Sequence, residues 1–126
     1  MLPIYLTLYG ETPSKKNSRI SLRNGRNIPS KRYQEWHKDA VFQLIRQARD
    51  FDRPFPIQTS VYITLVFTHA DNRRRDSDNG TSSIFDTLQD AQILEDDRWQ
   101  IIRGFKVINK KGLIAKCEIE IMEGEE

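Results

Sequence analysis

The sequence predicts an α+β (mixed α/β) fold: one small domain in which a mixed β-sheet carries two packed helices, with a basic ribbon near the N-terminus. Three observations lead there. The length of 126 residues suits a single domain. Apolar residues alternate in some stretches and recur at helical spacing in others. The resulting order is strand, ribbon, helix, strand, helix, strand, strand, with no internal repeat and no long linker.

Each element has its own signal. Ile4, Leu6 and Leu8 alternate with Tyr5, Thr7 and Tyr9, a strand pattern that Pro13 and Ser14 break. Arg19 to Ile28 centres on Asn24-Gly25, a strong hairpin signal. Ser30 suits an N-cap, and Tyr33, Trp36, Ala40, Val41, Leu44, Ile45 and Ala48 recur at helical spacing through Arg49. Pro54 and Pro56 close that segment. Gln58 to Thr68 reads as a central strand, with Val61, Ile63, Leu65 and Phe67 on one face and Tyr62, Thr64 and Val66 on the other. A polar loop from His69 to Asp78 leads to a second helix, capped by Asp78 or Asn79 and carrying Ile84, Phe85, Leu88 and Ala91. Trp99 to Ile108 and Leu113 to Met122 read as strands joined by an Asn109-Lys110-Lys111-Gly112 hairpin loop. Their apolar residues are expected in the sheet core or a dimer interface.

Composition excludes several classes. No apolar run approaches the ~20 residues that span a bilayer, so no membrane partner is expected. Met1 to Tyr9 lacks a basic start, so no signal peptide is expected. The single cysteine, Cys117, permits no intrachain disulfide and no cysteine-based zinc site, and is expected to be a buried small residue. A reducing, cytoplasmic setting follows.

The formal charge of +2 conceals polarity. Thr12 to Gln34 holds seven bases (Lys15, Lys16, Arg19, Arg23, Arg26, Lys31, Arg32) and no acid. Asp86 to Asp97 holds five acids and no base, and Glu118 to Glu126 holds five glutamates. Without that acidic end, the first 117 residues carry +7. A basic body calls for a polyanionic partner, and the arm over residues 14–32 is the expected DNA-backbone surface. Residues 123–126 are expected to fray. Tyr33 and Trp36 are candidates for stacking on unpaired bases, although core packing suits Trp36 better. His37 is expected to face solvent, and His69, near the acidic loop, is a candidate proton shuttle.

The loop Asp71 to Asn79 contains Asp76 and Asp78 beside Arg73, Arg74 and Arg75. Two carboxylates two residues apart can hold a hard cation such as Mg²⁺, which takes oxygen ligands. Asp96 and Asp97 supply further carboxylates. A helix from Asn79 to Ala91 is about 18–20 Å long and Gln92 to Asp97 can span roughly 20 Å, so the chain permits Asp97 to return beside Asp78. The bland alternative is a helix cap with a solvated arginine turn. Carboxylates, arginines and a basic body together point instead to metal-assisted attack on a phosphodiester, with the arginines gripping phosphates.

These motifs resemble the RusA family of Holliday-junction resolvases, small phage and prophage endonucleases. The resemblance rests on Arg73-Arg74-Arg75-Asp76-Ser77-Asp78-Asn79, Phe85-Asp86-Thr87-Leu88-Gln89-Asp90-Ala91 and Asp96-Asp97, with Pro13-Ser14-Lys15-Lys16-Asn17 upstream. It spans essentially the whole chain, so residues 1–126 are expected to form one RusA-like domain. It implies catalytic, metal-binding aspartates at Asp76, Asp78 and Asp97, with Asp96 beside them. It further implies Mg²⁺ (with Mn²⁺ as a substitute), a homodimer, a four-way DNA junction as substrate and paired nicks, in a bacterial or phage-infected cell and without a small-molecule cofactor. The pattern departs at Ser82, where the family carries a lysine. Lys15 or Lys16 is expected to supply that charge. Two alternatives stand beside junction resolution: a junction-binding protein with weak or no cleavage, and a less selective branched-DNA nuclease.

Overall fold

The computed structural model describes residues 2–15 and 18–124. Strand β1 (Ile4–Tyr9) is followed by β2 (Arg19–Ser21), β3 (Asn27–Pro29), helix α1 (Lys31–Ala48), β4 (Val61–His69), α2 (Thr81–Asp90), β5 (Ile102–Lys111) and β6 (Lys116–Glu123). The main sheet runs β1-β6-β4-β5, and β2 pairs with β3 as a separate antiparallel ribbon. The α+β class, the mixed sheet, the two helices and the ribbon are as the sequence predicts.

The core follows the alternation. Ile4, Leu6 and Leu8 of β1, Val61, Ile63, Leu65 and Phe67 of β4, and Cys117, Ile119 and Ile121 of β6 are all buried on one face. Both helices pack there: Ala40 and Leu44 enter from α1, Ile84 and Leu88 from α2. Truncating one of these large side chains to alanine costs about 2–5 kcal/mol. The opposite sheet face is open, and Tyr5, Tyr9, Tyr62 and Met122 are exposed on it. Strand β4 is central as expected, yet its second face is only half covered. The free edge of β1 is blocked by Gln47 of α1, whose amide accepts from the Thr7 N–H at 2.8 Å and donates to the Thr7 carbonyl at 2.7 Å.

Ser30 caps α1 as expected, its hydroxyl accepting from the Tyr33 N–H at 3.1 Å. Helix α2 departs from expectation. It starts later, its N-cap is Gly80, and neither Asp78 nor Asn79 caps it with a side chain. Backbone bonds from Asn79 N–H to the Asp76 carbonyl and from Thr81 N–H to the Asp78 carbonyl turn the chain into the helix instead. At its other end, Gln92 takes the left-handed region at φ 60. Its N–H reaches the Gln89 carbonyl while the Ile93 N–H reaches that of Leu88, which is a Schellman closure.

The expected hairpin between the last two strands is the principal correction. Strand β5 begins at Ile102, not Trp99, and pairs with β4 in parallel; β6 begins at Lys116 and lies between β1 and β4. Residues 112–115 therefore cross the end of β4 and do not form a tight turn. Gly112 makes this crossing possible, because a Cβ there would sit 2.5 Å from Thr68 Cγ2. Burial explains the choice. The inner residues of β6 need neighbours on both sides, whereas Arg103, Lys106, Lys110 and Lys111 suit β5 to an edge. Trp99 and Ile114 lie in the connections and are exposed, so of the two places expected for them they do not take the sheet core.

At the C-terminal end, Glu123 closes β6 and the Gly124 N–H bonds the Ser60 carbonyl, so the expected fraying does not reach these two residues. Glu125 and Glu126 lie outside the described residues.

Candidate functional site

Because β4 and β5 are parallel and in register at His69 and Lys111, their C-terminal ends lie side by side. The loop carrying Asp71 to Asn79 leaves from this sheet end. An open cleft of about 430 Å³ forms there between the loop and β5, lined by residues that include His69, Arg73, Asp76, Ser77, Asn109 and Lys110.

A polar network fixes the loop. Glu11 Oε1 lies 2.6 Å from His69 Nδ1 and 3.1 Å from Arg75 Nε. Arg75 Nη1 also donates to Asp71 Oδ1 at 2.8 Å. That bond, with a further one from the Arg73 N–H, holds the Asp71 carboxyl down at about 2. His69 Nε2 meets Asn109 Oδ1 at 2.8 Å, and Asn109 Nδ2 donates to the Ser77 carbonyl at 2.8 Å. Lys111 Nζ donates to the Ala70 carbonyl. Arg75, expected to grip phosphate, is instead half-buried inside this network. His69 has both ring nitrogens engaged, so it holds structure here and does not stand free as a shuttle.

The acidic residues divide into two kinds. Asp71 pairs with Arg75, Asp86 with Lys15 at 3.0 Å, Asp90 with His37 at 2.7 Å, and Glu95 and Asp96 with Arg98 at 3.0 and 3.2 Å. Asp96 also accepts from the Asp97 N–H, and this bond first, then Arg98, lowers its pKa. Among the described residues, Asp76, Asp78 and Asp97 are the acids of this stretch with no cationic partner. All three are exposed. Their segments are anchored differently: the turn hangs on Asn109, while Asp97 follows a segment tied to the chain ahead of β4 by Ile57 N–H to the Ile93 carbonyl and Glu95 N–H to the Ile57 carbonyl. Among the described residues, no three His, Cys, Asp or Glu side chains converge as a metal-holding group, so the structure does not gather Asp76, Asp78 and Asp97 in that way. The donor chemistry nonetheless fits a hard cation: carboxylate oxygens free of competing ion pairs, two of them two residues apart, when Mg²⁺ commonly takes only one or two carboxylates.

The basic residues also sort. Arg23 and Arg26 are exposed on the ribbon around the Gly25 turn, which has φ +82. Arg19 is exposed and donates to the Asn27 carbonyl across the ribbon. Lys31 and Arg32 occupy the first turn of α1, where no acid is present. Arg73 and Arg74 are exposed in the loop. Lys15 is committed to Asp86, and its backbone N–H donates to Ser83 Oγ, which in turn donates to the Pro13 carbonyl. Lys16 and Asn17 lie outside the described residues. Ser82 is exposed on α2.

Two aromatic expectations change. Tyr33 is 4% exposed and cannot stack on a base, and its burial raises the phenol pKa. His37 faces Asp90 and not open solvent. Trp36 packs against the core and Cys117 is fully buried, both as expected, and burial pushes the Cys117 thiol up. Sequence reasoning missed Glu11, Asn109, Lys110 and Lys111. The signal of the last three was hidden by the expected hairpin, since only parallel pairing of β5 with β4 brings residues 109–111 to the loop.

The family model for endodeoxyribonuclease RusA matches residues 10–122. No curated protein matches the chain. The match covers most of the sequence, with both helices, β4 and β5 in full and β6 as far as Met122, and the chain therefore belongs to the RusA endodeoxyribonuclease family.

Proposed function

We propose that this protein is a Mg²⁺-dependent, structure-selective endonuclease that resolves four-way DNA junctions by paired nicks. It acts inside the cell as a homodimer, each subunit presenting one site to one strand. The observation that carries the reading is the contrast among the acids: those between Asp71 and Asp97 are engaged by Arg, Lys or His side chains except, among the described residues, Asp76, Asp78 and Asp97, and Asp76 lines a basic cleft.

In this reading residues 1–126 act as one domain. Asp76 and Asp78 hold the cation, with Asp97 and its neighbour Asp96 as the further carboxylates, and Mn²⁺ substitutes. Bound there, the cation supplies Lewis acidity toward the phosphodiester. Arg73 and Arg74 grip neighbouring phosphates, Arg75 holds the loop in shape, and Lys110 brings positive charge from β5 into the cleft that Asp76 lines. Arg19, Arg23, Arg26, Lys31 and Arg32, with Lys15 and Lys16, form the backbone-binding arm. Lys31 and Arg32 sit at the positive end of the α1 dipole, which costs stability there and favours an anion.

A second reading, junction binding without efficient cleavage, is favoured by one observation. Ser82 places no cation on α2, and the Lys15 ammonium is held by Asp86. Incubating the protein with a synthetic four-way junction and a linear duplex, in Mg²⁺ or EDTA, separates the readings. Paired nicks confined to the junction in Mg²⁺ support resolution, and binding without nicks supports the second reading. Equal cutting of both substrates refutes junction selectivity. Asp78→Asn should bind the junction and not cut it; full activity would remove Asp78 from the site.

A further inference from the structure

We propose that Asn109 and His69 are positioning residues that set the Asp76–Asp78 turn through a side-chain relay from Glu11. The inference deepens the nuclease reading and rests on it only for the consequence in cleavage. The relay itself is a chain of short contacts: Glu11 Oε1 to His69 Nδ1 at 2.6 Å, His69 Nε2 to Asn109 Oδ1 at 2.8 Å, and Asn109 Nδ2 to the Ser77 carbonyl at 2.8 Å.

Its terminus is what makes it specific. Ser77 is the residue between Asp76 and Asp78. The carbonyls of Asp76 and Asp78 are bonded within the turn, to the N–H groups of Asn79 and Thr81. The Ser77 carbonyl instead reaches out to the sheet edge and takes its donor from Asn109. One side chain thus fixes the height of the turn over β5, and with it the direction of both carboxylates.

The donor logic is fixed at the Ser77 end of the relay. A carbonyl only accepts, so Asn109 must present its NH₂ to Ser77. Its amide oxygen then faces His69, which requires a proton on Nε2. Nδ1 is held by Glu11, and Arg75 Nε fixes that carboxylate at 3.1 Å. The imidazole also stacks on Phe67, with centroids 6.4 Å apart and 11° between planes, so the ring cannot turn freely. The partners come from four separate places in the chain: the segment after β1, the end of β4, β5 and the loop.

Native-state amide exchange, measured in EDTA, tests the relay without any need for cleavage. In Asn109→Ala, the Asn79 and Thr81 amides should exchange faster by on the order of 3–10-fold, the size of one lost hydrogen bond. Amides of β4 and β6 should not change. His69→Phe keeps the stack on Phe67 and should act in the same direction, and the double variant should be no worse than Asn109→Ala alone, because both act through one carbonyl. In junction cleavage, kcat should fall about ten-fold or more while junction affinity stays within about two-fold. Unchanged exchange at Asn79 and Thr81, additive effects in the double variant, or a uniform rise across β4 and β6 would each overturn the relay. If the wild-type protein binds junctions without cutting them, the exchange result still decides the relay on its own.

Discussion

Gly80 begins α2 two residues after Asp78, and substituting it offers a sharp test of how the site is seated. An alanine Cβ at this position would lie 2.8 Å from Phe67 Cε1 and 2.9 Å from Thr12 Cγ2. Neither neighbour has room to move, since Phe67 is 4% exposed and Thr12 is 5% exposed. Overpacking of this kind costs about 1–3 kcal/mol. Alanine is also a poorer N-cap than glycine, and the smaller entropy of the unfolded alanine chain offsets part of the loss, by about 0.4–1 kcal/mol. A net destabilisation of about 2 kcal/mol, set against an unfolding entropy of about 2.1 cal/mol/K per residue, lowers Tm by roughly 8 °C for a chain of this length. Gly104→Ala is the matched control. Its Cβ would also lie 2.8 Å from a ring, that of Tyr62, but this ring stands 41% exposed on the open sheet face and can swing aside. Its stability should stay within about 0.5 kcal/mol of wild type. Thermal denaturation followed by circular dichroism reads both. Equal losses in the two variants, or no loss in Gly80→Ala, would refute the claim that the start of α2 is wedged between β4 and the segment after β1.

Two further expectations follow from local geometry. Gln92 holds a left-handed φ of 60 in the Schellman closure of α2, so Gln92→Gly should raise stability by about 0.5–1 kcal/mol, or roughly 2–4 °C in Tm; an unchanged or lower Tm would count against that closure. The Asp71 carboxyl, held at about 2 by the Arg75 hydrogen bond, is a depressed acid. Its contribution is therefore present above its unfolded pKa near 3.8 and fades as pH falls toward about 2. Carboxyl-carbon NMR should show that midpoint and its return toward 3.8 in Arg75→Gln; an ordinary midpoint in the wild type would dissolve the proposed loop network.

Much was legible in the sequence, for a local reason. Alternation in β1 and β4, the Ser30 cap, the helical spacing of α1 and the Asn24-Gly25 turn depend on neighbours within a few residues, and each appears where the pattern puts it. Family membership was legible as well, because the loop and helix motifs are contiguous in sequence. What local pattern could not decide was pairing. Whether β6 follows β5 as a hairpin or crosses β4 depends on which strand can be buried on both sides, and that is a property of the whole sheet. The crossing sets β4 and β5 parallel, and this alone carries Asn109, Lys110 and Lys111 to the aspartate loop. Likewise, Arg75 and Arg73 look alike in sequence, yet one is enclosed between Glu11 and Asp71 while the other stays exposed. The sequence by itself determined the elements, the charge polarity and the carboxylates. Tertiary structure decided which charges are spent on one another and which remain available, because ion pairing depends on distance in space and the fold brings together residues as far apart in sequence as Lys15 and Asp86.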